Sequence, residues 1–387
     1  MNNLVVILGA GFSFPAGLPL ANDIKKRFNR VQKEKLLLAS SSEWMWIDDK
    51  DDISINNGLL GFDHLAYSYI LNEIVKAYND DVDDFDNYEV FFSYVLDKFN
   101  DLNWFKEIYS RAKYELINDK PYLVSEPKPH ASYLFPFNSE PYIKKIQDLF
   151  NYLIGDMLFV SNATVDNSIS EYVKFIDYLQ KFDRVDIFTL NHDLLLEKIL
   201  SKKEVSFCRG FSLDNSDVYY EDNPLPIFNN HFIDKINIHK LHGSTDFFKF
   251  QHFNNDAGLF WNPTEKYNYF VTQSYNAKHY AVRVNPITKK VEQDMNFDII
   301  PKFITGTKKT SIISNDIMYS QLFKNFENAI SGASQLLISG YSYGDEHINN
   351  ELKKRDDIKI TNQNPFNKYP FGARKTREIN SLKDLVT

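Results

Sequence analysis

The chain has 387 residues, 43% of them apolar and 15% aromatic, enough for one large domain or two ordinary ones around a substantial core. Its formal net charge of -8 argues against nonspecific nucleic-acid binding, and no apolar run reaches the roughly 20 residues needed to span a bilayer. A single cysteine, Cys208, excludes intrachain disulfides and zinc sites built from several thiolates, and the absence of a signal-peptide pattern leads us to expect a cytoplasmic protein.

Leu4 to Leu8 is an unbroken apolar run, which predicts a strand buried on both faces, as in a parallel sheet. Gly9, Ala10, Gly11, Phe12 and Ser13 follow as a tight turn whose backbone can approach a ligand, with the Ser13 hydroxyl as a further donor. From Leu20 to Leu38 the spacing predicts a helix, and together the three pieces form a phosphate-binding unit. Phe14 stands where a dinucleotide fingerprint has its third small residue. Ser40 to Gly61 reads as an acidic loop, although Trp44, Met45, Trp46 and Ile47 need cover. Helical stripes over 62–78, 88–114 and 141–159 predict a mostly helical insertion at 39–182, its aromatic residues serving packing. Pro121 to Pro136 breaks it as a proline-rich connection.

Ser168 is a predicted N-cap with Glu171 closing a capping box, for a helix running to Phe182. Val185 to Leu190 is a second buried strand, and Asn191, His192 and Asp193 stand between it and a helix over 194–200. Asn191 and Asp193 suit either a ligand site at the end of a parallel strand or a plain helix cap. A third strand, Lys235 to Leu241, ends in His242-Gly243-Ser244. The alternation from Phe247 to Val284 predicts a small antiparallel β region. After a helix over 316–330, a fourth buried strand, Gln335 to Ser339, runs into Gly340-Tyr341-Ser342-Tyr343-Gly344-Asp345 and a helix over 346–355. Ile358 to Thr361 is a further short strand, and 362–387 reads as a basic, irregular tail. The expected class is α/β, a Rossmann-like parallel sheet over 1–38 and 183–361 with helices on both faces. In such a sheet the four strand ends share the carboxyl edge, where ligands bind.

These motifs, in this order, resemble the sirtuin fold: Gly9-Ala10-Gly11-Phe12-Ser13 with Gly17-Leu18-Pro19, then Thr189-x-Asn191-x-Asp193, Leu241-His242-Gly243 and Gly340-Tyr341-Ser342. More specifically, the last motif extended to Asp345 is similar to that of bacterial sirtuin-like (SIR2 domain) NAD hydrolases of antiphage defence. The resemblance covers 1–30 and about 183–361, and implies NAD+ as substrate, with Asn191, His242 and Asp193 as catalytic residues. Gly9 to Ser13 and Gly340, Tyr341 and Ser342 are the implied cofactor-binding residues. It further implies NAD depletion in abortive infection, a homo-oligomer, and in some relatives a ring-forming HerA-type ATPase partner. The chain has no Walker loop, so an ATPase would be a separate protein.

Protein deacylases of this fold carry a zinc held by four cysteines, which one cysteine cannot provide, so hydrolysis without zinc or other metal is favoured. A zinc-less NAD-dependent deacylase and a non-catalytic NAD or ADP-ribose sensor are the alternatives. Charge is uneven: Glu43 to Asp101 holds fifteen acidic against three basic residues, and Lys353 to Lys383 holds nine basic ones. Each patch reads as solvated surface, or else as one half of a self-assembly contact.

Overall fold

The computed structural model describes residues 2–29, 36–38, 44–46, 62–82, 88–119, 121, 140–253, 263–285, 290–291, 297–298, 301–302, 304, 309–372 and 375–385. Contacts divide the chain into two compact units, one of 1–18, 159–304 and 309–387, the other of 19–158 and 305–308. The first unit therefore takes up the chain again well before the expected boundary at 183.

The first unit is built on six strands: β1 (Asn3–Leu8), β2 (Arg184–Thr189), β3 (Ile236–Lys240), β6 (Gln335–Ser339), β7 (Lys359–Gln363) and β8 (Thr376–Ile379). Their order is β8-β7-β6-β1-β2-β3, and every pairing is parallel. Two longer strands, β4 (Phe247–Phe253) and β5 (Pro263–Val271), pair antiparallel in a second sheet, the expected small β region. The period of two along β1 explains the layering. Leu4, Val6 and Leu8 join one core cluster with residues of α6 (Asn162–Ser168), α7 (Val173–Leu179) and α8 (Leu195–Lys202). Val5 and Ile7 join the other with α11 (Ile317–Gly332) and α12 (Glu346–Leu352). A strand apolar on both sides is thus sandwiched between helices, as the unbroken run predicts.

The second unit holds α1 (Ala21–Asn29), α2 (Phe62–Asp81), α3 (Tyr88–Lys98), α4 (Leu102–Asp119) and α5 (Glu140–Met157). Its aromatic stripes are packing: Phe28, Phe91 and Phe150 lie with ring centroids 5.2 to 5.6 Å apart. The expected helix over 88–114 is two helices, because Asp101 accepts the amides of Asn103 and Trp104 and starts α4 afresh.

Four local expectations are corrected. The helix predicted to reach Leu38 is described as far as Asn29, and Leu36–Leu38 instead pairs antiparallel with Trp44–Trp46, within the predicted loop. Three consecutive leucines supply no helical stripe. Ser168 does not cap a helix: it ends α6 and its hydroxyl bonds back to the Thr164 carbonyl, while Ser161 is the cap that receives the Thr164 amide. The tail is not irregular, since β8 extends the sheet and Ile379, Leu382 and Leu385 enter the core. Its brevity and flanking charges hid it from periodicity. No described helix is long and apolar enough to cross a membrane.

Candidate active site

The parallel register puts Leu8 beside both Thr189 and Ser339, Thr189 beside Lys240, and Ser339 beside Gln363. The residues that follow these strands therefore emerge side by side at the carboxyl edge, the usual ligand edge of such sheets. Two polar clusters form there.

The first joins the glycine turn to the segment after β2. The side-chain amide of Asn191 donates to the Gly9 carbonyl at 3.0 Å and to Ser13 Oγ at 3.1 Å, and Ser13 in turn donates to Asp193 Oδ2 at 2.9 Å. Asp193 Oδ1 accepts the Leu195 amide at 2.9 Å at the entrance to α8, but the capping position itself belongs to Leu194, so Asp193 braces the turn rather than caps the helix. Burial raises the Asp193 carboxyl above its usual range, against the pull of Lys240. With both amide hydrogens of Asn191 directed into the protein, its Oδ1 is the atom it can present to a ligand, as an acceptor.

Beneath this cluster lies a network that the sequence reading missed. Lys240 is buried, and its ammonium donates to the carbonyls of Asn191 and Asp193 and pairs with Glu197 at 3.2 Å. Glu197 also faces Arg209 at 3.4 Å, and Arg209 forms a two-pronged pair with Asp246 at 2.7 and 2.9 Å. Two cations thus balance two carboxylates and hold the 191–193 segment from below. The one signal in the sequence was a lysine inside a strand that otherwise reads as buried.

The glycines allow a close approach of two loops. A Cβ on Gly9 would lie 2.6 Å from the Gly340 carbonyl oxygen, and one on Gly340 would lie 2.2 Å from the Phe12 amide nitrogen. Gly340 also has φ +63°, which glycine tolerates best. The glycine turn and the loop after β6 are packed backbone against backbone. The amides of Gly9, Gly11, Phe12 and Ser13 donate to the carbonyls of Ser339, Gly340, Gly9 and Ala10. Ser13, 2% exposed, points inward as a link between Asn191 and Asp193 rather than outward as an anion donor. The Phe12 ring is core, with centroids 5.0 Å from Tyr172 and 5.2 Å from Phe175, whereas Phe14 is half exposed. Tyr341 is likewise buried, its hydroxyl bonded to the Asp345 carbonyl at the end of its loop and to the Asn349 side chain of α12. Ala10 and Ser342 remain partly or fully exposed beside them.

The second cluster centres on His242, which is 2% exposed. Its Nε2 lies 4.0 Å from Asp345 Oδ1 and has no hydrogen-bond partner. Its ring centroid lies 6.4 Å from His192 and 5.8 Å from His347. Burial, with the nearby Lys309 ammonium, holds the His242 imidazole well below its usual pKa, so it is neutral at physiological pH. Burial pushes His192 down to about 3. Asp345 stays below the usual carboxylate range despite its burial, because the Lys309 ammonium, 2.6 Å from its Oδ1, favours its charge. Lys309, Asp345 and His347 were not among the expected site residues. They lie far from His242 in sequence: Asp345 and His347 come near through β6, which pairs with β1, and Lys309 from the start of the separate helix Lys309–Asn315.

Residues 185–369 match the family model described as a SIR2-like domain. A crystal structure of a Sir2 homolog–NAD complex aligns with 98% of this chain and 84% of its own at 11% identity, with a TM-score of 0.37. No curated relative matches the chain. The family model thus spans β2, β3, β6 and β7, and with them Asn191, His242 and Asp345, which follow β2, β3 and β6.

Proposed function

We propose that this protein is an NAD+ hydrolase that breaks the bond between nicotinamide and ribose and releases ADP-ribose. The observation that carries the reading is that one sheet edge within the SIR2-like stretch holds both an amide whose hydrogens are bonded into the protein, leaving its carbonyl oxygen for a ligand, and a neutral histidine. In this reading Asn191 Oδ1 accepts a hydrogen bond from a ribose hydroxyl or from the attacking water. His242 takes the proton, which a neutral imidazole can do without prior deprotonation. Loss of nicotinamide leaves an oxocarbenium-like ribose, and the oriented dipole of Asn191 and the charge of Asp193 are the groups that favour developing positive charge. Because Asp193 already spends its oxygens on Ser13 and Leu195, its part is to orient and to set the local field.

The phosphates would meet the exposed part of the turn around Ala10 and Ser342 rather than the amides already bonded within the protein. The setting in antiphage defence, a homo-oligomeric state and a HerA-type ATPase partner belong to this proposal through the resemblance of the motifs. With one cysteine, the chain cannot form the four-thiolate zinc module that helps shape the acyl-lysine groove of the deacylases, which favours hydrolysis over deacylation. Purified protein should therefore release nicotinamide from NAD+ at a rate that added acetyl-lysine peptide leaves unchanged. NAD+ loss that occurs only in proportion to peptide would instead establish a deacylase, and saturable NAD+ binding without turnover a sensor.

A further inference from the structure

His242, Asp345 and His347 are assembled more elaborately than proton transfer by His242 requires. One ligand atom of each lies within 4.8 Å of those of the other two. The Nε2 atoms of both histidines are buried and lack hydrogen-bond partners. Native proteins rarely leave such atoms unpaired, because a buried polar atom without a partner loses its solvation and gains nothing in return. Asp345 precedes α12 and His347 lies in its first turn, so a short Asp-x-His segment delivers two donors to a face that already holds His242. Magnesium and calcium ions prefer oxygen cages, whereas two imidazole nitrogens with one carboxylate suit zinc and its neighbours. Such a set also keeps a position open for water.

Lys309 gives the arrangement its second part. Its ammonium stands 2.6 Å from Asp345 Oδ1, so a positive charge already rests against the carboxylate. A divalent ion entering the cluster would have to compete with that charge. The donors would also draw in from their present spacing to roughly 3.3 Å, the separation of ligands held tetrahedrally at 2.0–2.1 Å.

We propose that His242, Asp345 and His347 form a regulatory binding site for a zinc-class transition-metal ion, with Lys309 as the resident cation that the metal displaces. A bound ion occupies the nitrogen of His242 and so stops any reaction that uses this imidazole as a base. That inhibitory consequence rests on the proposed role of His242, whereas the binding site itself does not.

The test uses the full chain, freed of metal by chelation and titrated with Zn2+ by calorimetry and with Co2+ by visible absorption. Wild type should bind one ion at this site and show a ligand-field band with Co2+. His347→Ala should weaken binding by tenfold or more, and His347→Gln, closer in size, serves if the alanine variant loses its circular-dichroism signature. Lys309→Met should move affinity the other way and tighten it by about tenfold, because a competing charge is removed. The proposal is overturned if His347 variants bind as wild type does, or if Lys309→Met leaves the affinity unchanged. Nicotinamide release gives an independent arm: Zn2+ should stop it in wild type but spare a His347 variant relative to its own metal-free rate. If the protein releases no nicotinamide at all, the hydrolase reading fails while the binding titrations still decide the metal site.

Discussion

Ser13 shows how a side chain expected to face a phosphate can instead face its own protein. Its hydroxyl receives one bond from Asn191 and gives one to Asp193, so it fixes the amide orientation on which the proposed chemistry depends. Ser13→Ala should cost roughly 1–3 kcal/mol, because a buried carboxylate loses its donor and an amide its acceptor. Urea denaturation checks this, and a midpoint equal to wild type would show that the link carries no weight. Asn191 and His242 were legible in sequence as polar residues just beyond buried strands. Lys240, Arg209 and Lys309 were not, because a buried cation is recognised by its partners, and those partners lie on other strands and helices.

Among the elements, the glycine turn and the loop after β6 act as one unit. Gly340→Ala would place a methyl group against the Phe12 amide at a backbone angle of +63°. It should destabilise the fold by more than about 2 kcal/mol, seen as a lower denaturation midpoint with loss of ligand binding. A variant as stable as wild type would show that the turn can open without cost. The main strands were legible because a sheet covered on both faces demands unbroken apolar runs, and β1, β2 and β6 supply them. β8 was not, since Thr376–Ile379 has a single inward apolar residue and draws its stability from pairing with β7. Ile379→Ala should cost about 2–4 kcal/mol, a loss no irregular tail would suffer, so an unchanged melting temperature would contradict its place in the core. Capping misled at Ser168 because Ser161 offers the same chemistry seven residues earlier, at the true start of α6.

At the scale of the whole molecule, the first unit carries every residue assigned to the site, and the second is a helical body with its own aromatic core. The exclusion of zinc from the sequence counted thiolates alone, and so did not weigh the histidines and carboxylate that the fold later gathers. The sheet also contains an acid-sensitive pair. Burial lowers the pKa of His239 despite the pull of Asp186. Asp186 is lowered too, as hydrogen bonds from His239 and Arg184 outweigh its burial. Both shifts have the same sign: their stabilisation is complete above the unfolded histidine value near 6.5 and is lost as pH falls. The urea midpoint should therefore drop between pH 7.5 and pH 5, and His239→Gln should shrink that drop. Equal midpoints at both pH values would contradict the assignment. The central claim, that Asn191 and His242 at the shared strand edge cleave NAD+, is tested most directly by nicotinamide release from wild type, Asn191→Ala and His242→Ala at matched folded concentrations. Wild type should release nicotinamide with no peptide added and each variant should lose at least about a hundredfold in rate, whereas wild-type rates in both variants would contradict these roles.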